Sequence, residues 1–465
     1  MNKSVFLILA GVVAVSTSCT MGPDWSKPEM EVPAVFRGDS IGGGTMADTP
    51  WQSVINDKNL IALLTDVFNN NHSLEAMRHH VDAAQQYVTI ARAPIFPWLG
   101  YSASTSKGMN SQGGAGVAQT GGVTTNPGSI AASASWELDI WGKTRRDVES
   151  AEATAQETQE QLHNLRASLL RQVATGYLQL LMLDEQLRIT RESVESYRGS
   201  LELFEDQFKT GIADSLQVAS AKAALAAAEA ELPALELQVA SLENTLSVLA
   251  GRMPGKIARG GSLQQFVSRS KVASGIPADV ISRRPDIRAA EQSLRAANAD
   301  IGVAIASYFP SISLTGTAGY ASADLRSSMS GYAHKSGWGI GANLTGPLFQ
   351  AGQLTANEAA KRDAFYAAKA NYEETVLSAL AEISSTLIER EKLRLVITKQ
   401  EEAVKAYEES VKLAKQRYKE GLSAYFEVLD NQRSLFPAQK QLASYRYQYA
   451  ACVPTLYTQL GGGWK

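Results

Sequence analysis

An internal duplication governs what this chain can fold into. Residues 197–228 align without gaps onto residues 407–438 at an offset of 210, with Phe208-Lys209-Thr210-Gly211 falling on Tyr418-Lys419-Glu420-Gly421. Leu216 and Leu225 fall on Phe426 and Leu435. Further upstream, residues 91–97 match residues 304–310 at an offset of 213, ending in Phe96-Pro97 and Phe309-Pro310. A self-similarity of this length marks one supersecondary unit used twice, so the fold must offer it two equivalent places.

Each copy carries helical segments whose apolar residues step by three and four, the period of a coiled-coil seam. In the first copy the seam runs through Val194, Tyr197, Leu201, Phe204 and Phe208, and in the second through Val404, Tyr407, Val411, Ala414 and Tyr418. The returning helices repeat the pattern: Ala228, Leu232, Leu235, Val239, Leu242 and Leu246 correspond to Ala438, Leu442, Tyr445, Tyr449, Cys452 and Leu456. Cys452 therefore reads as a small buried hydrophobe. Pro233 and Pro437 interrupt the returning helices and are expected to bend them. The outgoing helices, from about Lys143 to Phe208 and from about Gln353 to Tyr418, would each extend for roughly 100 Å. A single globular core cannot cover helices of that length. They must project, or lie side by side with further copies.

Between the helices the period changes to two. Ile312, Leu314, Ala318 and Tyr320 alternate with Ser311, Ser313, Thr315 and Thr317, and Trp338, Ile340, Ala342 and Leu344 alternate with Gly339, Gly341, Asn343 and Thr345. The first copy sets Ile130, Ala132, Ala134, Trp136 and Leu138 against Ser129, Ser133, Ser135 and Glu137, after a weaker strand through Tyr101, Ala103 and Thr105. One apolar and one small polar face suit a membrane barrel with lipid outside and water inside; a soluble hairpin packed on a core is the competing reading. Trp98, Tyr101, Tyr320 and Trp338 near the strand ends fit an interfacial aromatic girdle. The segments at 107–128 and 321–336 are rich in Gly, Ser and Thr and read as exterior loops. Since known bacterial barrels begin at about eight strands, four must be completed by other subunits.

The N-terminus reads as a targeting signal: Lys3 precedes an apolar stretch from Val5 to Val15 that is too short for a membrane-spanning helix. Cleavage after Ser16-Thr17-Ser18 would expose Cys19 for acylation, as in bacterial lipoproteins. Ser16 stands where such signals carry Leu, so an ordinary secretory signal is the alternative. The formal net charge of -3 lacks the basic excess that phosphate neutralisation needs, which argues against a nucleic-acid partner. Five histidines and two cysteines provide neither a disulfide framework nor a clustered zinc site. His72, His79 and His80 with Met77 read as solvated surface groups, because adjacent histidines cannot share a helix face. No phosphate loop, nucleophile-base pair or paired catalytic carboxylates emerge, so no catalytic residue, cofactor or enzyme activity is assigned.

The duplicated strand-pair and helix-pair units, Arg284-Pro285-Asp286-Ile287 followed by Ala290-Glu291, Phe309-Pro310 at a strand entry, Asp214-Ser215-Leu216 three residues after Gly211, and residues 429–435 together resemble the TolC-like outer-membrane factors. The likeness is specifically to the lipoprotein branch serving RND efflux systems, the NodT-type outer-membrane efflux lipoproteins, and it covers nearly the whole mature chain. This resemblance implies a mixed α and β membrane protein. Its homotrimer would build a twelve-stranded β-barrel, four strands per subunit, continued by a long α-helical coiled-coil barrel.

The organisation then expected is a signal peptide at 1–18, an N-terminal anchor and equatorial segment at 19–70, and a first efflux repeat at 71–250. A linker and equatorial segment at 251–283 and a second repeat at 284–460 would follow. Strands are expected at about 98–106, 129–139, 311–320 and 337–348.

The resemblance further implies an exit duct of a tripartite pump, passing drugs, toxic compounds or metal ions. A periplasmic adaptor and an inner-membrane RND transporter would be its partners, and the protein would be lipid-anchored in the outer membrane. Such ducts close at their periplasmic helix tips. Phe426 matches a hydrophobic ring position, Asp430 a constriction aspartate, Arg433 a partner to that aspartate, and Glu427 a further carboxylate. Phe426, Asp430 and Arg433 share one helix face, off a seam read as Val428, Asn431 and Leu435. Gly211, Asp214, Ser215, Leu216, Gly421 and Leu422 at the hairpin tips are the expected adaptor-docking residues. A duct for type I protein secretion and a periplasmic coiled-coil scaffold are the rival functions; a stand-alone porin would leave the long helices without a use.

Overall fold

The computed structural model describes residues 20–37, 46–55, 57–110, 123–125, 128–269, 277–322 and 335–464. Its helices are α1 (Trp51–Val54), α2 (Lys58–Asn70), α3 (His72–Arg92), α4 (Lys143–Lys209), α5 (Ser215–Leu249), α6 (Leu263–Arg269), α7 (Pro277–Arg283), α8 (Pro285–Ala306), α9 (Gln353–Lys419) and α10 (Phe426–Gln459). The strands are β1 (Trp98–Thr105), β2 (Gly108–Asn110), β3 (Val123–Thr125), β4 (Gly128–Leu138), β5 (Ser311–Ser322) and β6 (Lys335–Thr345). The outgoing helices α4 and α9 are each 67 residues long, so the duplication extends to helix length. No helix among the described residues is long and apolar enough to cross a membrane. The signal peptide and Cys19 lie outside the described residues, as do most of the two segments read as exterior loops; β2 and β3 pair within the first of those segments.

The chain divides into two compact units. One comprises Met1–Pro28, Val81–Thr158 and Ala290–Tyr372, and contains the antiparallel sheet β1-β4-β5-β6. Its register aligns the faces across all four strands. Tyr101 pairs with Ala132, Ala132 with Ala318 and Ala318 with Trp338; in a second row Leu138, Ile312 and Leu344 line up. The opposite face carries Ser102, Ser133, Ser135, Thr315, Thr317, Gly339, Gly341 and Asn343. The apolar face is solvent-facing in the single chain, with Tyr101 89%, Trp338 80% and Ile340 83% exposed.

Trp98 departs from the expected girdle. It pairs with Ser135, and its ring lies where a Cβ on Gly100 would sit, so it covers Gly100 on the small polar face. Strand parity decides this: Tyr101, Ala103 and Thr105 share one face of β1, and Trp98 falls on the other.

The same unit holds down the chain that follows Cys19. Met21 N donates to Trp141 O at 3.1 Å, Arg146 donates to Met21 O (3.1 Å) and to Asp24 (2.8 Å), Asn298 donates to Pro23 O (3.0 Å), and Lys27 pairs with Glu291. Backbone meets backbone here: a Cβ on Gly22, whose φ is +92°, would fall 2.5 Å from Gly302 Cα. Trp141, stacked on Phe309, also donates to Pro310 O at 2.8 Å, immediately before β5.

The other unit comprises Glu29–His80, Gln159–Ala289 and Glu373–Lys465. Its main core gathers Leu60, Leu64 and Val67 of α2, Leu170, Val173, Tyr177 and Leu180 of α4, Ile383 of α9, and Leu456, Tyr457 and Leu460 at the chain's end. Asp57 ties this core together: it caps α2 by accepting from Leu60 N (2.9 Å) and accepts from Tyr177 OH (3.1 Å). Burial first, then the adjacent carboxylate, pushes the Tyr177 hydroxyl up to about 12. Arg284, buried, donates to Asp286 (2.6 Å), Glu382 (3.1 Å) and the Gln459 carbonyl (3.2 Å), which gives the Arg-Pro-Asp-Ile motif a packing role.

The seams pack as two hairpins within this unit. Val194, Tyr197, Phe204, Ala221 and Ala228 form one buried cluster, and Ile397, Val404, Val411, Leu435 and Leu442 another. Phe208, in the last turn before the chain reverses, and Tyr407 are more exposed than the seam pattern predicts. Cys452 is buried on the returning helix and its Sγ contacts Gln448 O at 3.3 Å. Burial pushes its thiol up to about 12, so little of the reactive thiolate exists near neutrality. At pH 8 the peptide containing Cys452 should stay unmodified by a maleimide in folded protein and label fully in denaturant, as read by mass spectrometry. Rapid labelling of folded protein would contradict the packing.

Candidate functional site

The two hairpins turn by the same device. At the first tip Gly211 N donates to Phe208 O (3.0 Å) and Ile212 N to Gln207 O (2.8 Å); at the second Gly421 N donates to Tyr418 O (3.0 Å) and Leu422 N to Arg417 O (2.8 Å). This is the Schellman closure, which needs a left-handed residue after the helix. Gly211 (φ +77°) and Gly421 (φ +73°) supply it, and because nothing lies within 4 Å of either would-be Cβ, backbone conformation alone demands glycine.

Beyond the turns the copies diverge. Asp214 caps α5 in a reciprocal box, accepting from Gln217 N at 2.8 Å while its own N–H donates to Gln217 Oε1 at 3.1 Å. In α10 the cap position is Tyr425, with no side-chain cap, and Glu427 stands in the first turn. That placement lets the carboxylate complement the positive helix end. Ser215 is exposed at the start of α5. Leu216, Leu422 and Phe426 are exposed apolar residues at the tips, and so is Ile212, which sequence reasoning passed over. Ile212 is Leu422's counterpart at the offset of 210, so the duplication itself held the signal.

The start of α10 buries a wider face than its seam predicts. Val428, Leu429, Gln432 and Leu435 are buried, whereas Asn431 is only half-buried and donates to Glu427 O on its own helix (2.7 Å). The reason is that α10 packs on two sides. Leu435 joins the second-hairpin cluster, while Leu429 joins Val194, Tyr197 and Phe204 of the first.

Polar and aromatic contacts follow that second side. Tyr425 OH and Ser200 Oγ are 3.0 Å apart, and Gln207 Nε2 donates to Tyr418 OH at 2.7 Å. The Tyr425 ring meets Phe204 and Tyr418 edge-on at 5.4 and 5.0 Å, and Tyr197 meets Phe436 at 5.6 Å. Burial raises the Tyr197 hydroxyl above its ordinary range, while the nearby Arg433 charge opposes that shift.

Arg433 is where the site differs from expectation. Its Nη2 donates to the backbone carbonyl of Ser220 on α5, at 2.7 Å, and not to Asp430. Asp430 is exposed, and among the described residues no ion pair or hydrogen bond engages its carboxylate. Phe426 (42% exposed) and Asp430 lie four residues apart on one face, whereas the Arg433 head group turns aside to the first hairpin.

Elsewhere, His72 Nδ1 lies 3.2 Å from Glu75, His79 and His80 are exposed, and among the described residues no three ligating side chains gather into a metal site. His163 stacks on Trp464 at 4.6 Å and approaches Glu160 at 3.2 Å.

With this geometry in place, comparison with known proteins decides the family. A sequence profile described as "Outer membrane efflux protein" matches residues 63–252 and 276–462, one stretch for each copy of the duplication. The chain belongs to the outer membrane efflux protein family. It is 31% identical to the probable efflux pump outer membrane protein TtgC of Pseudomonas putida, over 100% of this chain and 96% of TtgC. It is 29% identical to the cation efflux system protein CusC of Escherichia coli, over 98% of each.

The solved structure of CusC superposes with a TM-score of 0.85 at 28% identity, covering 96% of this chain and 100% of CusC. The open-state MtrE outer membrane channel of Neisseria gonorrhoeae gives 0.85 at 27% identity, over 96% and 99% of the two chains. The fold is that of the trimeric outer membrane efflux channels, which combine a β-domain with a helical barrel. This family member is accordingly an outer-membrane exit duct, extending into the periplasm, of a tripartite efflux pump.

The Arg433 bond to Ser220 is charge-assisted and half-exposed. Arg433→Ala should weaken the attachment between the hairpins by about 1.5 kcal/mol, or roughly tenfold in local opening. Hydrogen exchange of peptides spanning 213–222 and 426–435 should speed up accordingly. Asp430→Ala should leave that exchange unchanged, and an equal loss from both variants would put Asp430 in the attachment after all.

Proposed function

We propose that the homotrimer passes small molecules from an inner-membrane RND transporter and a periplasmic adaptor to the exterior, closed at rest at the second-hairpin tips and held to the outer membrane by acylated Cys19. The observation that carries the duct is the sheet's one continuous apolar face, solvent-facing in the single chain, set against a face of Ser, Thr, Gly and Asn. Four such strands with two open edges make sense as one third of a closed barrel with a wet interior.

The proposed gate rests on Phe426, Glu427, Asp430 and Arg433. Threefold symmetry would bring three Asp430 carboxylates around the axis, where mutual repulsion needs protons or cations to offset it. Three Phe426 side chains would narrow the same passage. Arg433 would act indirectly, holding α10 to the first hairpin through Ser220 O so that the face carrying Phe426 and Asp430 stays turned inward. Opening then means breaking that bond together with the Tyr425–Ser200 and Gln207–Tyr418 contacts.

Adaptor docking is assigned to Gly211, Asp214, Ser215, Leu216, Gly421 and Leu422. Their support is the matched pair of glycine-turned tips with exposed Ile212, Leu216 and Leu422. The anchor is supported by the segment at 20–28, which is clamped beside Trp141 and Pro310 at the base of the strands, the level at which acyl chains on Cys19 would meet the membrane. Relatives described as toluene, antibiotic and cation efflux proteins favour small-molecule cargo over secreted protein.

Single-channel recording in planar bilayers tests the gate. Wild-type trimers should show a small cation-selective conductance. Asp430→Ala should enlarge it, and the Phe426→Ala, Asp430→Ala, Arg433→Ala combination should enlarge it further. Conductance indifferent to all three substitutions would move the constriction elsewhere, and well-folded trimers without any channel would defeat the duct.

A further inference from the structure

The polar face of the sheet is built almost without charge. Along β1, β4, β5 and β6 it presents Ser102, Ser104, Ser129, Ser133, Ser135, Ser313, Thr315, Thr317 and Asn343 with several glycines. Glu137 is the exception. It stands on β4 one residue before the strand ends, in register with Ser313 of β5 and, through Ser313, with Asn343 of β6. Its side chain is exposed, and among the described residues it makes no ion pair or hydrogen bond.

Most charges that follow it in sequence are already engaged. Asp139 is taken by Arg145 (3.2 Å), Arg146 by Asp24 and Glu149 (both 2.8 Å), and Lys361 by Asp300 (2.6 Å); among the described residues, exposed Lys143 is the nearest cation along the chain with no ion pair. At the opposite end of β6 from Asn343, the backbone of Lys335 is in register with Ala321.

The duplication makes this acid conspicuous. At the offset of 210 that relates the helix starts Lys143 and Gln353, and that the pairs Trp98–Ser135 and Ser311–Thr345 repeat in the sheet, Glu137 corresponds to Pro347: the second copy holds no carboxylate at this place. A carboxylate on the lipid side would be costly, and the register puts this one on the wet side.

We infer that Glu137, repeated by the threefold axis, forms a ring of three fixed negative charges at the inner wall of the barrel's base, a cation-selecting determinant separate from the tip gate. This rests on the trimeric duct and not on any role of Asp430. Twelve strands ~4.8 Å apart and tilted by ~40° give a backbone radius of roughly 12 Å. Carboxylates reaching inward from that wall lie within about one Debye length of the axis at 0.1 M salt, where that length is ~10 Å, but not at 1 M, where it is ~3 Å. The ring therefore acts on every permeating ion at moderate salt and is screened at high salt. It enriches cations and cationic organic molecules in the passage without binding any of them tightly.

The test is the reversal potential of single trimers in a planar bilayer under a tenfold KCl gradient at moderate salt. The background is Asp430→Asn, which removes the tip charge. In it, selectivity for K⁺ over Cl⁻ should persist at moderate salt and fade when both sides are raised to molar KCl. Adding Glu137→Gln, nearly isosteric, should bring the permeability ratio severalfold closer to one, and Glu137→Arg should turn it toward anions, with trimer yield confirmed by gel migration. If Asp430→Asn alone abolishes selectivity, or if neither Glu137 substitution changes what remains, the ring is overturned while the gate stands. If Asp430→Asn leaves selectivity and conductance at wild-type values while Glu137→Gln lowers selectivity, the gate fails and the ring stands.

Discussion

Everything in this chain follows from backbone groups that lipid cannot satisfy. In hydrocarbon each unpaired N–H or C=O costs several kcal/mol, so a sheet that crosses a membrane cannot end in an open edge. The sheet β1-β4-β5-β6 has two such edges, β1 and β6, and its apolar face is bare in the single chain. A lone subunit is thus an incomplete object in its own solvent. Trimer closure is a condition for inserting at all, and the long helices are subject to the same logic: their narrow seams cover one side and leave the rest to neighbours. The duplication meets both needs at once, because two strand pairs and two helix pairs on one chain bring a closed ring within reach of only three copies.

What could be read in advance was whatever repeats. The seam periods gave helices that end within one residue of the observed Lys209 and Lys419, and the period-two stretches gave both faces of β4, β5 and β6. What could not be read was contact between the repeats. Leu429 and Gln432 are buried because α10 meets the first hairpin as well as its own partner, and no single seam carries information about a second neighbour. The contact of Arg433 within the single chain could not be read for the same reason: its acceptor is a backbone carbonyl, which leaves no trace in side-chain identity. Trp98 shows the limit of composition within a strand, since an aromatic at a strand end takes the face that register dictates. The core around Tyr177 and Asp57 was invisible because it joins segments 120 residues apart in sequence.

At the tips the two copies differ. The first hairpin invests in a capping box through Asp214 and Gln217, a local device that holds one helix start in one geometry. The second gives up that cap. It puts Tyr425 there instead, with its hydroxyl on Ser200 and its ring against Phe204 and Tyr418. Its helix start is therefore fixed by the other hairpin and not by itself. On the proposed gate, that division would suit a static and a moving element, because the second start could be released without either helix losing an intrinsic cap.

Magnitudes decide how such a release would proceed. Within each hairpin the seam buries a run of large apolar side chains, each worth about 1.5–3 kcal/mol. Between the hairpins near the tip stand a few hydrogen bonds, each worth about 0.5–1.5 kcal/mol, with somewhat more for the charged Arg433. Edge-on aromatic pairs add ~1 kcal/mol apiece. Leu429, packed into the first hairpin's cluster, adds the burial of a further large apolar side chain to that attachment, which still falls short of the long seam inside each hairpin.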